Sequence, residues 1–314
     1  MQSTEMGAYS KDQPASKTRK DLMQIPFCFV DVFAERPLTG NPLLWFHTPR
    51  CMMQRIAGEL NQTETTFILP SRDKSAHWRL RPFTAPGHEV FGAGHNSLGA
   101  WWWLAESKEL KLTDGSNHFI QEIGDNLLPV EVRSEGQQLM SVVLTQSPPQ
   151  FGNICEDVRG LANALGLEID DLSLSLPAQV VSTGAGHLLV PVRNRAAIAR
   201  AHPDAQRLAK ILNAVDGEGC YLYCLDAVLP SSAAYARFFN PTMGIVEDSA
   251  TGTAAGPLAC QLVSHGIVKD RSTITIEQGY EMKRPSLLRV EVHGKTVRLA
   301  GRGVRVIEGT LRIE

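Results

Sequence analysis

The sequence predicts an α+β fold of two similar, pseudo-symmetric domains, each a β-sheet wrapped around a central α-helix. Residues 81–100 and 237–259 each begin with an Arg-x-Phe strand end, continue through a loop containing Pro or Gly, and enter a helix at a turn of small residues. Both helices are rich in small and apolar residues, which is typical of a helix buried on all sides. The repeat therefore predicts two copies of one architecture.

The first half opens with a predicted hairpin. Residues 26–33 alternate like a strand, ERPLTGN supplies a turn, and PLLWF begins a second strand. MMQRIAGELN has the period of an amphipathic helix, and TTFILP that of the next strand. Glu64 lies between this helix and this strand.

The second half repeats the order. Residues 180–192 resemble the first hairpin, with a Gly-rich turn before an apolar run, and AQRLAKILNAVDGEGCYLYCL resembles RIAGELNQTETTFIL. This alignment matches Glu64 with Asp216. Three ordered matches at offsets of about 144 to 158 residues indicate an ancient duplication.

We predict four segments from these patterns. Residues 1–24 are polar and without hydrophobic period, as expected for a disordered tail. The N-terminal domain then spans 25–138 and the C-terminal domain 139–302. The alternating segment at 303–314 is predicted to be a strand that completes the N-terminal domain.

Bulk properties narrow the classes of function. The chain has 314 residues and a net charge of -2, without the basic stripe that a nucleic-acid partner requires. Its six cysteines lack Cys-x-x-Cys spacing and no leader sequence is evident, so we expect reduced thiols in a cytoplasmic protein. No apolar run approaches the ~20 residues needed to cross a membrane. A small-molecule substrate remains the expected partner.

The two predicted helix starts are candidate binding turns for an anion. The first turn of a helix exposes unpaired N–H groups and the positive end of the helix dipole. Small residues at Gly94 and Gly252 would let a ligand approach the backbone, with Asn96 and Thr253 beside it. Facing each other across a cleft, the two turns would hold a substrate carboxylate.

Three titratable residues near these turns are candidate catalytic groups. Glu64, in a polar turn beside an apolar strand, would have a raised pKa if the cleft closed over it. His95 and Asp248 precede or begin the two helices. Each also has a plain structural alternative: a solvated carboxylate for Glu64, packing for His95 and a helix cap for Asp248. Metal binding is disfavoured, because HEVFGAGH lacks the i, i+4 pair of a helical zinc motif.

The ordered motifs DVFAERPLTGNPLLWF, LNQTETTFILP, FTAPGHEVFGAGHNSLGA and EDSATGTAAGPLA resemble those of the PhzF-like family, from about Phe27 to the C-terminus. The resemblance implies the fold of diaminopimelate epimerase, with the active site between two similar domains, and a homodimer. It implies an acid/base role for Glu64 and active-site roles for His95 and Asp248. It also implies that the Gly252 and Thr253 amides hold a substrate carboxylate and that Asn41 lines the cleft.

The sequence departs from the family at four informative positions. Racemases of this fold use two facing thiols, but Ala93 and Thr251 stand at those places, so exchange between two thiols is excluded, and Cys260 lies too far along the helix to substitute. Asn96 and Ser249 replace usual prolines beside the inherited site. These two changes are compatible with the acid/base mechanism but put the phenazine substrate itself in doubt.

The predicted function is a cofactor-independent isomerase that moves a proton within a small carbonyl- or carboxylate-bearing metabolite, in secondary metabolism. Neither a dinucleotide fingerprint nor a P-loop is present, so neither an organic cofactor nor a metal is expected. Two alternatives remain open: an enzyme that promotes cyclisation on the same fold, and a binding protein that has lost turnover. A hydrolase using Thr251 or Ser249 lacks the arrangement of base and orienting residue that it needs.

Overall fold

The computed structural model describes residues 23–47, 52–136 and 138–313. The disordered tail predicted at 1–24 lies outside these residues except for its last two positions, which begin the first strand. The described chain forms seventeen strands and six α-helices.

The first half contains β1 (Met23–Val32), β2 (Asn41–His47), α1 (Met53–Leu60), β3 (Thr65–Pro70), β4 (Trp78–Phe83), α2 (His95–Glu106), β5 (Gly115–Ile123), β6 (Asn126–Glu135) and β7 (Gln138–Gln146). The remainder contains β8 (Gln150–Ile154), α3 (Val158–Leu165), β9 (Gln179–Ser182), β10 (Gly186–Pro191), α4 (Arg195–Arg200), α5 (Ala205–Ala214), β11 (Gly219–Cys224), β12 (Ala234–Asn240), β13 (Ile245–Asp248), α6 (Gly252–Ser264), β14 (Ser272–Gln278), β15 (Ser286–His293), β16 (Thr296–Gly301) and β17 (Gly303–Ile313).

Both halves use the same order of strand pairing. In the first half β2 and β3 are parallel, β3 and β4 antiparallel, β4 and β5 parallel, and β5, β6 and β7 successively antiparallel. In the second half β10, β11, β12, β14, β15 and β16 repeat these relations in the same sequence. The internal repeat seen in the sequence thus recurs as a repeated sheet topology.

Strand register corrects one detail of the sequence alignment. Thr65 of β3 pairs with Phe83, and Cys220 of β11 pairs with Phe239, which ends the equivalent Arg-x-Phe strand. Thr65 and Cys220 are therefore equivalent. The counterpart of Glu64 is the residue before Cys220.

That residue is Gly219, so the predicted match of Glu64 with Asp216 was wrong. Asp216 corresponds instead to Asn61, since both follow the preceding helix with a left-handed backbone, φ 58° and 47°. Asn and Asp tolerate this conformation better than most residues. The false match came from aligning Leu60-Asn61 with Leu212-Asn213, which shifted the second half by three residues.

A buried helix lies at the centre of each half. Nine of the twelve residues of α2 and ten of the thirteen of α6 are buried. In α2 the Trp101 ring is fully buried and donates through Nε1 to Gln121 Oε1 at 2.9 Å. Gly99 is needed for close packing, because a Cβ there would lie 2.6 Å from Leu43 Cδ2. The strands of each half thus wrap around a central helix.

Two antiparallel ladders join distant parts of the chain. β7 pairs with β16, from Gln146 opposite Val297 to Val142 opposite Gly301, and so links the two halves. β17 pairs with β1 over the full length of β1, with a bulge between Phe29 and Val30. The last strand therefore lies against the sheet of the first half.

The loop before each central helix is held by an ion pair from the Arg-x-Phe strand. Arg81 Nε and Nη2 donate to Glu89 at 2.7 and 2.6 Å, and Arg237 Nε and Nη2 donate to Glu247 at 2.8 Å each. Such bidentate pairs fix geometry as well as charge.

The five cysteines that lie in the described residues are buried and unpaired. None of the helices described is long and apolar enough to cross a membrane.

Candidate active site

Glu64 stands between α1 and β3, where the chain turns inward after the left-handed Asn61. Its side chain is only half-buried as a whole, but Oε2 is buried and has no hydrogen-bond partner in the described residues. Burial raises the pKa of this carboxyl to about 7, against a lowering contribution from the Asn96 side chain. A carboxyl in this state can both accept and donate a proton near neutral pH.

His95 is the first residue of α2 and faces the same region. Its Nε2 is buried and has no partner in the described chain. Burial lowers the pKa of the imidazole, and the charge of Asp248 opposes that shift. His95 is therefore a neutral imidazole at neutral pH, with Nε2 available to a ligand.

Asp248 ends β13 and comes from the second half. Its Oδ1 accepts from Asn41 Nδ2 at 2.9 Å, and its Oδ2 accepts from Thr251 Oγ1 at 2.6 Å. Burial raises its pKa, the charge of His95 lowers it, and the charge of Glu64 raises it. This mutual influence shows that the three predicted catalytic residues lie within electrostatic reach of one another, although they come from different halves.

Hydrogen bonds from Asn41 and Ser249 link the two halves beside the three candidate catalytic residues. Asn41 is buried, and its Nδ2 also donates to the Ala250 carbonyl at 3.0 Å. Ser249, at the place of a usual family proline, donates through Oγ to the Gly40 carbonyl at 3.1 Å. The replacement of proline thus adds a hydrogen bond across the site.

The two helix starts, predicted as matching anion-binding turns, differ in their free donors. In α6 the N–H groups of Gly252 and Thr253 have no acceptor among the described residues. In α2 the His95 N–H is also without an acceptor in the described chain, but the Gly94 N–H donates to Asn96 Oδ1 at 2.8 Å and the Ser97 N–H donates to the same oxygen at 2.6 Å. The Gly94 N–H, which was predicted to bind substrate, is therefore already hydrogen-bonded to the Asn96 side chain.

Two buried polar residues at the site were missed from the sequence. Gln278, at the end of β14, donates through Nε2 to the Asp248 carbonyl at 2.7 Å and accepts from the Thr251 N–H at 3.1 Å. His187 of β10 lies with Nε2 3.1 Å from Thr253 Oγ1. Each is a polar residue near one end of an apolar strand, and this pattern could have identified both residues from the sequence.

The residues considered for metal binding or hydrolysis form hydrogen bonds within the protein. Glu89 is occupied by Arg81, and no cluster of three or more His, Cys, Asp or Glu in the described chain is arranged to hold a metal ion. The Ser249 hydroxyl donates to the Gly40 carbonyl, which cannot serve as the base of a hydrolytic nucleophile. The Thr251 hydroxyl donates to the Asp248 carboxylate.

A pseudo-symmetric fold with a buried polar site between its halves defines the class of epimerase-like proteins. The chain belongs to the PhzC-PhzF family of phenazine biosynthesis-like proteins, whose family model matches residues 30–309. A trans-2,3-dihydro-3-hydroxyanthranilate isomerase of Pseudomonas chlororaphis is 32% identical over 298 residues, covering 91% of this chain and 98% of that protein. An uncharacterised isomerase of Clostridium acetobutylicum is 29% identical over 296 residues, covering 90% and 96%.

Solved structures agree with this assignment. A PhzF-family phenazine biosynthesis protein of Bacillus anthracis is 26% identical, with a TM-score of 0.82 over 92% of this chain and 99% of that one. A predicted epimerase of Pseudomonas aeruginosa is 32% identical, with a TM-score of 0.77 over 91% and 99%. A hydroxyproline epimerase of Agrobacterium vitis, 12% identical with a TM-score of 0.58 over 94% and 93%, shares the fold. The predicted family, fold class and isomerase class are confirmed.

Proposed function

We propose that this protein moves a proton within a small carboxylate-bearing molecule, with Glu64 as the single acid/base. The observation that carries the proposal is the buried, unpartnered Oε2 of Glu64 on a carboxyl with a pKa of about 7. At that pKa, both protonation states are populated near neutral pH. One residue can then take a proton from substrate and return it at another atom.

His95 and Asp248 orient the substrate in this proposal. The free Nε2 of neutral His95 can hydrogen-bond a polar group of the ligand. Asp248 is held by Asn41 and Thr251, so its carboxylate is fixed in direction. An oriented substrate keeps the proton-donating and proton-accepting atoms in reach of Glu64, which is where positioning contributes to rate.

The start of α6 is the proposed binding place for the substrate carboxylate. The unpaired N–H groups of Gly252 and Thr253 lie at the positive end of the helix dipole. As a proton leaves an atom conjugated with the carboxylate, negative charge on its oxygens increases. Preorganised donors stabilise that charge most in the transition state.

The relatives' activity defines the class of substrate to test first. Trans-2,3-dihydro-3-hydroxyanthranilate is a non-aromatic ring bearing a carboxylate, an amino group and a hydroxyl, and it contains a proton that can move along its conjugated system. We extend this class, a small unsaturated ring acid, to the present chain. A homodimer acting in the cytoplasm, in secondary metabolism and without cofactor or metal, stays part of the prediction.

The proposal is tested by incubating the protein in D2O with trans-2,3-dihydro-3-hydroxyanthranilate and following the reaction by NMR. Isomerisation is expected, with solvent deuterium at the carbon that receives the proton whenever the Glu64 proton exchanges before it is returned. A ligand that binds by calorimetry but is recovered unchanged and undeuterated would identify a binding protein instead. Formation of a new ring would indicate the cyclisation alternative.

A further inference from the structure

His187 is a buried titratable residue that the proposed mechanism does not use. Leu44 of β2 pairs with Thr65, and Leu188 of β10 pairs with the equivalent Cys220, so Leu44 and Leu188 occupy equivalent places. His187 therefore corresponds to Leu43. The ring is 3% exposed and packs edge-on against Phe238, with 5.0 Å between ring centroids.

The Phe238 and His187 rings together fill the space that a second-half counterpart of Glu64 would need. A Cβ at Gly219 would lie 3.2 Å from His187 Nδ1 and 2.6 Å from Phe238 Cζ. The second half therefore has no room for a carboxylate at the position equivalent to Glu64. It has an imidazole there instead.

The hydrogen bond of His187 reaches the proposed substrate site. Nε2 lies 3.1 Å from Thr253 Oγ1, whereas Nδ1 is buried with no partner in the described chain. Burial lowers the pKa of this imidazole to about 4, so the ring is neutral and carries one N–H. Buried N–H groups without acceptors are rarer than unpaired acceptors, which assigns the proton to Nε2.

We propose that His187 is a positioning residue: its Nε2–H donates to Thr253 Oγ1 and so directs the Thr253 hydroxyl proton towards the anionic group of the substrate. This inference rests on the proposed function only in placing the substrate anion at Thr253. The hydroxyl then acts as a third donor beside the N–H groups of Gly252 and Thr253. His187 itself does not reach the substrate, because Nε2 is engaged and Nδ1 is enclosed by Gly219 and Phe238.

The tautomer can be measured without any substrate. Long-range ¹H–¹⁵N NMR of the ligand-free protein labelled on histidine is expected to show His187 as the Nε2–H form, with the signal assigned by its loss in His187→Leu. Thr253→Val should shift the Nε2 resonance, because it removes the acceptor. An Nδ1–H tautomer, or an Nε2 resonance indifferent to Thr253→Val, would overturn the proposal.

Turnover provides the second test, through a double-mutant cycle on the proposed substrate. His187→Leu places the first-half residue at this position and is expected to lower kcat/KM about tenfold, as loss of one oriented donor would. His187→Gln, which keeps a donor, should recover most of the rate. His187→Leu should have no further effect in a Thr253→Val background. Equal effects in both backgrounds would mean that His187 does not act through Thr253.

Tyr223→Phe is the matched control for lost packing or stability. Tyr223 also carries a buried hydrogen bond, from its hydroxyl to Gln261 Oε1 at 2.9 Å, outside the site. It should lower the melting temperature while leaving kcat/KM unchanged. If the wild-type protein fails to convert the substrate, the proposed function fails and the NMR result alone decides the role of His187.

Discussion

The two central helices begin in the same topological place and present different chemistry. At the start of α2 the Gly94 and Ser97 N–H groups are taken by the Asn96 side chain, and the adjoining strand turn carries Glu64. At the start of α6 the Gly252 N–H, the counterpart of Gly94, has no acceptor in the described chain, and the residue equivalent to Glu64 is the sterically closed Gly219. In the proposed function the duplicated fold therefore separates two tasks, proton transfer in the first half and anion binding in the second.

This division depends on few substitutions within one topology. The equivalent pairs, first half then second half, are Leu43 and His187, Glu64 and Gly219, His95 and Thr253, and Asn96 and Ala254. In three of these pairs one half has a group that titrates or hydrogen-bonds and the other has none. In the fourth pair His95 can titrate, whereas Thr253 has a hydroxyl that only hydrogen-bonds. The proposed single acid/base depends on these differences rather than on the repeat.

The largest effect is expected from removing the proton-transfer group of the first half. Glu64→Gln keeps the shape of the side chain but cannot exchange a proton, so kcat should fall by about 10² to 10⁴. Steady-state kinetics and deuterium incorporation would measure this. The exposed Glu59 of α1 provides a matched control, and Glu59→Gln should keep the wild-type rate. Equal rates for both variants would remove Glu64 from the mechanism.

A side chain at Gly219 tests whether the second half is sterically closed. Gly219→Ala would force Cβ against the buried Phe238 ring, and overpacking of this kind should lower the free energy of unfolding by about 1–3 kcal/mol. Chemical denaturation measures the change. Gly58→Ala, at an exposed position inside α1, should instead be neutral or stabilising. An undisturbed Gly219→Ala protein would show that the second half could accept a carboxylate.

The raised pKa of Glu64 predicts a pH dependence of stability. The folded chain keeps this proton up to pH about 7, whereas the unfolded chain releases it near 4.5, so the folded state binds more protons in that window. Stability from this group is complete below pH 4.5 and is lost as the pH rises through 7. Between pH 4 and 8, the free energy of unfolding of Glu64→Gln should therefore rise by about 2 kcal/mol relative to that of the wild type. This value is discounted because the Glu64 side chain is partly exposed to solvent.

Denaturation of the two proteins across this pH range would measure the difference. A constant difference from pH 4 to 8 would mean that the Glu64 carboxyl titrates as in water.

The smallest effect is expected from making the first helix start resemble the second. Asn96→Ala introduces the residue of the second half and frees the Gly94 and Ser97 N–H groups, at a cost of about 1 kcal/mol in stability. Because the Asn96 side chain lowers the pKa of Glu64, its loss should move the acid limb of the kcat/KM profile to higher pH.

Asn194→Ala is the control for Asn96→Ala. Asn194 caps α4 by accepting from the Ala197 N–H at 3.0 Å, so its loss should have a similar cost without moving the pH profile. Identical pH profiles for the two variants would contradict the role of Asn96.

The sequence predicted what local pattern and repetition encode. Strand alternation and the two small-residue helix starts predicted the architecture, and the motifs around Glu64, His95 and Asp248 identified residues that the structure brings together. The Asn96 contacts with Gly94 and Ser97 were not predictable, because they depend on a side-chain rotamer. The misaligned Asp216 shows a further limit: register is set by cross-strand pairing, which spacing along the chain does not record.

The pairing of β1 with β17 has a consequence for biosynthesis. Met23 opposes Ile313, so β1 leaves the ribosome long before its partner strand β17 has been made. Until then one edge of β1 exposes unpaired backbone groups, a template for association with other chains. Contacts between such distant residues also slow folding. Shortening residues 303–313 should therefore reduce the soluble yield before it affects catalysis.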